Sequence, residues 1–165
     1  MIRINEAHAI KLIADQAKVN LGAKIYSIAC YDSKDRLMSG VLLMEDNGHS
    51  MEIHSAIFMP NGAQPEILWA VFNYVFKVRK VKKLFGRVPE GNRRARKFNM
   101  HIGFKEEAII DDVFPGGEGL VVMGMYEEDC KFVNTGKKPP KVEFAPIEKT
   151  NIIQVHEYSQ SKIGE

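Results

Sequence analysis

Two side chains able to accept a proton, Glu52 and His54, stand two residues apart in a segment, Ser50 to Met59, whose residues suit a β-strand. Strand alternation puts them on one face with Ala56 and Phe58, so either could serve as a general base in a cleft on that face. Plainer readings stand beside this one: a solvent-facing carboxylate for Glu52 and a hydrogen-bonded structural imidazole for His54. Downstream, Gly62-Ala63-Gln64-Pro65 leads into an apolar helical segment. Unpaired N–H groups and the positive end of a helix attract anions, and small residues permit close approach. Gly62, Ala63 and Gln64 are therefore candidates for holding a phosphate. Glu66 opposes this, because a carboxylate in the first helical turn already satisfies the dipole and repels phosphate. Its alternative role is to stabilise the helix start.

Charge is distributed unevenly. The chain has a formal net charge of only +2, yet Lys77 to Lys97 carries ten cations against the single acid Glu90. Such a run could present a basic surface to a phosphate-bearing partner, or could be the solvated face of an amphipathic helix. Aromatic residues do not interleave with these cations in a base-stacking pattern, which argues against single-stranded nucleic acid. Asn92, inside the run, is suited to capping a helix. Cys30 and Cys130 are far apart and lack partners at metal-ligand spacing, so they read as small core residues rather than a disulfide or a zinc site.

These groups need elements to hold them. Asn5 is expected to cap a first helix, with Ile10, Ile13, Ala14 and Ala17 on its apolar face and Gly22 as its stop. Three strands are expected at Lys24 to Asp32, Leu37 to Glu45 and Ser50 to Met59, joined by polar turns as an antiparallel meander. Pro65 suits the first turn of a strongly apolar helix running to Arg79. A short strand, Lys83 to Val88, is followed by a helix capped by Asn92, with Ala95, Phe98 and Ile102 on one face and Gly103 as its stop. Glu106 to Phe114 and Leu120 to Met125 flank a glycine-rich hairpin turn. Thr135 to Lys141 reads as a linker. The later stretch containing Ile152, Ile153 and Val155 reads as a strand able to join a sheet edge and recruit a second copy.

The 165 residues suit one domain, expected over residues 1–133 with a linker and C-terminal extension over 134–165. With 45% hydrophobic and 27% charged residues, neither a disordered nor a fibrous class is indicated. No apolar run approaches the roughly 20 residues needed to cross a bilayer. With no signal-peptide pattern at the amino terminus, a cytoplasmic location is the expectation.

From Met59 to Val133 the sequence resembles the Gcn5-related N-acetyltransferase (GNAT) superfamily. Asn92-Arg93-Arg94-Ala95 followed by Ile102-Gly103-Phe104 looks like that family's Asn-x-x-Ala/Ser helix ending in Gly-Phe. Val122-Met123-Gly124-Met125 looks like its last strand. The aromatic helix Phe72-Asn73-Tyr74-Val75-Phe76 and the spacing from Met125 to Cys130 are closest to degenerate members of the kind carried by bacteriophages.

The resemblance implies an α/β (α+β) fold, a mixed and mostly antiparallel sheet flanked by helices. It also implies an acyl-CoA-dependent N-acyltransferase that takes acetyl-CoA and passes the acetyl group to a small-molecule or protein amine. Coenzyme contacts would fall to Phe58, Gly62, Ala63, Gln64, Asn92 and Arg94, with Glu52 and His54 as the catalytic candidates. The family's phosphate loop, Gln/Arg-x-x-Gly-x-Gly/Ala, is altered, since its glycines would fall near Glu66 and Leu68. The family's tyrosine is replaced by Asn99, which has no proton to give. A binding or structural protein that keeps the fold without catalysis is therefore the alternative.

Overall fold

The computed structural model describes residues 1–22 and 24–133. In chain order the elements are β1 (Ile2–Ile4), α1 (Ala7–Ala17), β2 (Tyr26–Tyr31), β3 (Leu37–Met44), β4 (Ser50–Ile57), α2 (Pro65–Asn73), β5 (Lys83–Pro89), α3 (Arg93–Ile102), β6 (Lys105–Phe114) and β7 (Glu118–Tyr126). Tyr74–Val78 prolongs α2 as a π-helix. The seven strands follow the order β1-β2-β3-β4-β5-β7-β6 in one mixed sheet, as expected for the class. The expected linker and tail strand, from Thr135 onward, lie outside the described residues.

The described chain gathers into two compact units, Met1–Glu45 with His54–Val71, and Asp46–Ile53 with 72–133. In the first, β2 pairs antiparallel with both β1 and β3. The inward face of α1, Ala9, Ile10, Ile13 and Ala14, packs with Ala29, Tyr31, Leu42, Met44 and Ala56. Burying each of the larger side chains, Ile10, Ile13, Leu42 and Met44, contributes roughly 1.5–3 kcal/mol before entropy is counted.

Both expected ends of α1 move. Asn5 takes a left-handed φ of 57° and braces β2 instead of capping the helix. Its Oδ1 accepts from the Ser27 N–H at 3.0 Å, and its own N–H donates to the Ser27 carbonyl at 3.0 Å. The short strand Ile2–Ile4 draws Asn5 into this role, leaving Glu6 at the helix start without a side-chain cap. The helix stops at Lys18, which adopts φ 55° and turns its N–H back to Ala14 and Asp15, so Gly22 is not the stop.

In the second unit β5 pairs antiparallel with β7 from Lys83–Tyr126 to Pro89–Leu120, and β7 pairs antiparallel with β6. The intervening turn carries Gly116 at φ 87° and Gly117 at φ 81°, as the glycine-rich sequence requires. Alternate residues Met51, Leu84, Met123 and Met125 are fully buried on one face. Phe72 adds a ring 6.5 Å from Phe76 and 5.7 Å from Phe132. The two thiols are buried and free, and burial raises the pKa of both.

Candidate functional site

Within the second unit, β4 and β5 run parallel but pair at only three positions, Ser50–Lys83, Met51–Leu84 and Glu52–Phe85. Glu52 therefore stands at the end of the parallel ladder. Its side chain is 4% exposed, against 52% for Arg87, which grips it from the next position on the same face of β5. Arg87 Nε donates to Glu52 Oε1 at 2.5 Å, and a terminal nitrogen donates to Oε2 at 3.0 Å. A two-point contact of this kind fixes the carboxylate's orientation and commits a lone pair on each oxygen. The solvent-facing alternative for Glu52 is thereby corrected: the residue is buried and paired with Arg87.

Asn92 does what its type predicts, accepting at Oδ1 from the Ala95 N–H at 3.1 Å to start α3. Arg93 and Arg94 occupy the first turn of that helix with no acid among them, and both are exposed. Arg96 instead faces β6, donating to both carboxylate oxygens of Glu106, at 2.7 and 3.0 Å, and to the Glu90 carbonyl at 2.9 Å. Asn99 turns its amide to Met123 Sδ at 3.6 Å. Gly103 ends α3 at φ 125°, returning its N–H to Asn99 and Met100.

Half of the basic run is held in ion pairs. Lys77 pairs with Glu127, Arg79 with Asp46, Lys83 with Glu107, Arg87 with Glu52 and Arg96 with Glu106. The acids that the local sequence lacks come from elsewhere: Glu52, Glu106 and Glu107 from strands, Asp46 and Glu127 from the turns that follow β3 and β7. Among the described residues no such ion pair holds Arg93, Arg94 or Lys97 on α3.

In the first unit the chain leaving β4 turns sharply. The N–H groups of Phe58 and Met59 both donate to the Met38 carbonyl, at 2.9 and 3.2 Å. Gly62 is buried, and a Cβ there would lie 2.4 Å from that same carbonyl oxygen. Its own carbonyl accepts from Ser39 Oγ at 2.6 Å. The smallness of residue 62 thus serves the chain's own backbone. Gln64 donates its side chain to the Asn61 carbonyl and its N–H to the Gly62 carbonyl, and α2 begins at Pro65. The first bond of the helical pattern is Leu68 N–H to the Gln64 carbonyl, so the N–H groups of Glu66 and Ile67 lack intrahelical partners, as at any helix start. Ala63 and Gln64 flank them, half-buried, and Phe58 is half-buried. His54 is half-buried on β4.

Sequence reasoning missed Arg87, whose partner lies 35 residues away on another strand. The only hint was its place two residues beyond Phe85 in a strand next to Glu52's own.

No family model matches the sequence, and neither does any curated protein. Solved structures do match the fold. Spermidine N-acetyltransferase from Vibrio cholerae in complex with CoA and spermine is 16% identical with a TM-score of 0.63, over 78% of this chain and 96% of that one. The dodecameric form of that enzyme in an intermediate state is 17% identical with a TM-score of 0.64, over 83% of this chain and 98% of that one. With TM-scores of 0.63 and 0.64 and near-complete coverage of those chains, this chain has the fold of the GNAT acetyltransferases.

Proposed function

We propose that the chain is an acyl-CoA-dependent N-acyltransferase that transfers acetyl from acetyl-CoA to an amine by direct attack on the thioester. The observation that carries this reading is the three-residue parallel ladder between β4 and β5, ending at a buried, oriented carboxylate, within a fold shared with acetyl-CoA-type N-acetyltransferases. Holding amine and thioester together supplies much of the barrier reduction in such a reaction.

The coenzyme's diphosphate fits the unpaired N–H groups at the start of α2, with Gly62, Ala63 and Gln64 leading the chain there and Phe58 before them. Asn92 is assigned the pantetheine arm in addition to its cap. Arg94 is assigned the 3′-phosphate: a cation in the first turn of a helix is unfavourable to the helix dipole, so its position there suits an anionic ligand. Glu52 and His54 are the candidates for removing the ammonium proton, directly or through water. Returning a proton to the thiolate falls to water, since Asn99 has none to give.

A non-catalytic binding protein on the same fold is the second reading, favoured by Glu66 in the phosphate-facing turn and by Asn99. The chain's place among degenerate, bacteriophage-type members, its cytoplasmic location and a homodimer through the C-terminal tail belong to the same proposal. Titration calorimetry with acetyl-CoA separates the readings. The enzyme binds weakly and Glu66→Gly binds tighter, whereas absence of heat from both proteins supports the second.

A further inference from the structure

Arg87 uses only part of its hydrogen-bonding capacity on Glu52. A guanidinium carries five N–H donors on two usable edges. Here Nε and one terminal nitrogen face the carboxylate. The other terminal nitrogen remains on a side chain that is 52% exposed. The buried carboxylate locks the guanidinium plane, so the outward edge is pre-oriented and a ligand gains its bonds with little loss of rotamer freedom.

The neighbourhood is informative about charge. Lys83, two residues back on the same face of β5, is held by Glu107 at 2.6 Å. The flanking positions on that face, Phe85 and Val122, are half-buried and apolar. A Glu52–Arg87 pair has no net charge and so offers no general attraction to a polycation. It does offer a fixed dipole at the end of the parallel ladder. The outward edge of Arg87 is complementary to a carboxylate, and the acyltransferase reading supplies the acceptor's amine beside it.

We infer that Arg87 selects the acceptor, and that the acceptor is a zwitterion, a free amino acid or a peptide end bearing amine and carboxylate, rather than a polyamine. This rests on the acyltransferase reading for its purpose, but binding of the zwitterion is independent of the coenzyme.

The test uses the full chain without coenzyme and a panel of L-amino acids, each paired with its C-terminal amide, together with short dipeptides and spermidine, measured by calorimetry and thermal shift. A charge-assisted two-point contact predicts that at least one free acid binds about tenfold or more tighter than its amide. Arg87→Gln removes that discrimination, and Arg87→Lys keeps only part of it. Because Arg87→Gln leaves Glu52 buried opposite a neutral group, the double variant Glu52→Gln/Arg87→Gln serves as the fold control, expected to melt near wild type and to bind acid and amide alike. Dipeptides binding while free amino acids do not would assign the carboxylate to a peptide end. Equal binding of acids and amides to the wild type, discrimination retained in both glutamine variants, or spermidine as the tightest ligand would overturn the inference. Acetyl-CoA binding without acid–amide discrimination overturns this inference alone; discrimination without acetyl-CoA binding overturns the acyltransferase reading alone.

Discussion

At position 62 the chain has room for nothing larger than hydrogen, since a Cβ would meet the Met38 carbonyl oxygen at 2.4 Å. Gly62→Ala must move one of two backbones, and should cost about 1–3 kcal/mol, the usual penalty of overpacking. Chemical denaturation checks this, and an unchanged midpoint would mean that the loop entering α2 yields freely. Arg94 offers a sharper residue-scale test because its two roles have opposite signs. Arg94→Glu puts a carboxylate in the first turn of α3, where the dipole favours it by about 0.3–1 kcal/mol. The same change should weaken acetyl-CoA binding if Arg94 meets a phosphate. A variant with raised melting temperature and weakened coenzyme binding supports that assignment; raised stability with unchanged binding leaves Arg94 a solvent-facing residue.

Among the elements, α3 is the one whose sequence announced it most completely. The Asn92 cap, the Gly103 stop and the buried Ile102 all follow from residue types at local spacing. Phe104 is 5% exposed, so Phe104→Ala should destabilise by about 3–5 kcal/mol in thermal or chemical unfolding. Phe98, on the expected apolar face, is only half-buried, and its truncation should cost visibly less. A larger loss at Phe98 than at Phe104 would mean that α3 is rotated on the sheet. What local spacing could not show were the long-range pairs. Nothing near Arg87 or Arg96 predicts Glu52 or Glu106, because a strand's partners are set by sheet order. The three-residue β1 was too short to carry a period, and it is what turned Asn5 from cap to brace.

The Arg96–Glu106 contact between α3 and β6 also has a pH signature. The hydrogen bond from Arg96 is the main cause holding the Glu106 carboxyl below the usual carboxylate range. A group whose pKa is depressed on folding contributes stability that is present above its unfolded pKa and lost as pH falls through the folded value. Acidification through and below the ordinary carboxylate range should therefore lower the melting temperature more in the wild type than in Glu106→Gln. Parallel melting curves for the two proteins across that range would show that the contact adds nothing.

For the whole molecule, no helix among the described residues is long and apolar enough to cross a membrane, and no group of metal-ligating side chains gathers there. The fold was legible because the order of strand, helix, strand, helix and hairpin from β4 onward matched a family with a known order. The site was only partly legible, because Glu66 and Asn99 depart from the residues that the resemblance implies at those positions. The central claim is that this fold still takes an acyl-coenzyme A. Calorimetric titration of the full chain with acetyl-CoA tests it most directly. The account predicts measurable, weak binding that tightens in Glu66→Gly, where a carboxylate no longer faces the phosphates. No heat and no thermal shift at about millimolar coenzyme, for either protein, would contradict it, since even a Kd near 1 mM corresponds to about −4 kcal/mol and should be seen.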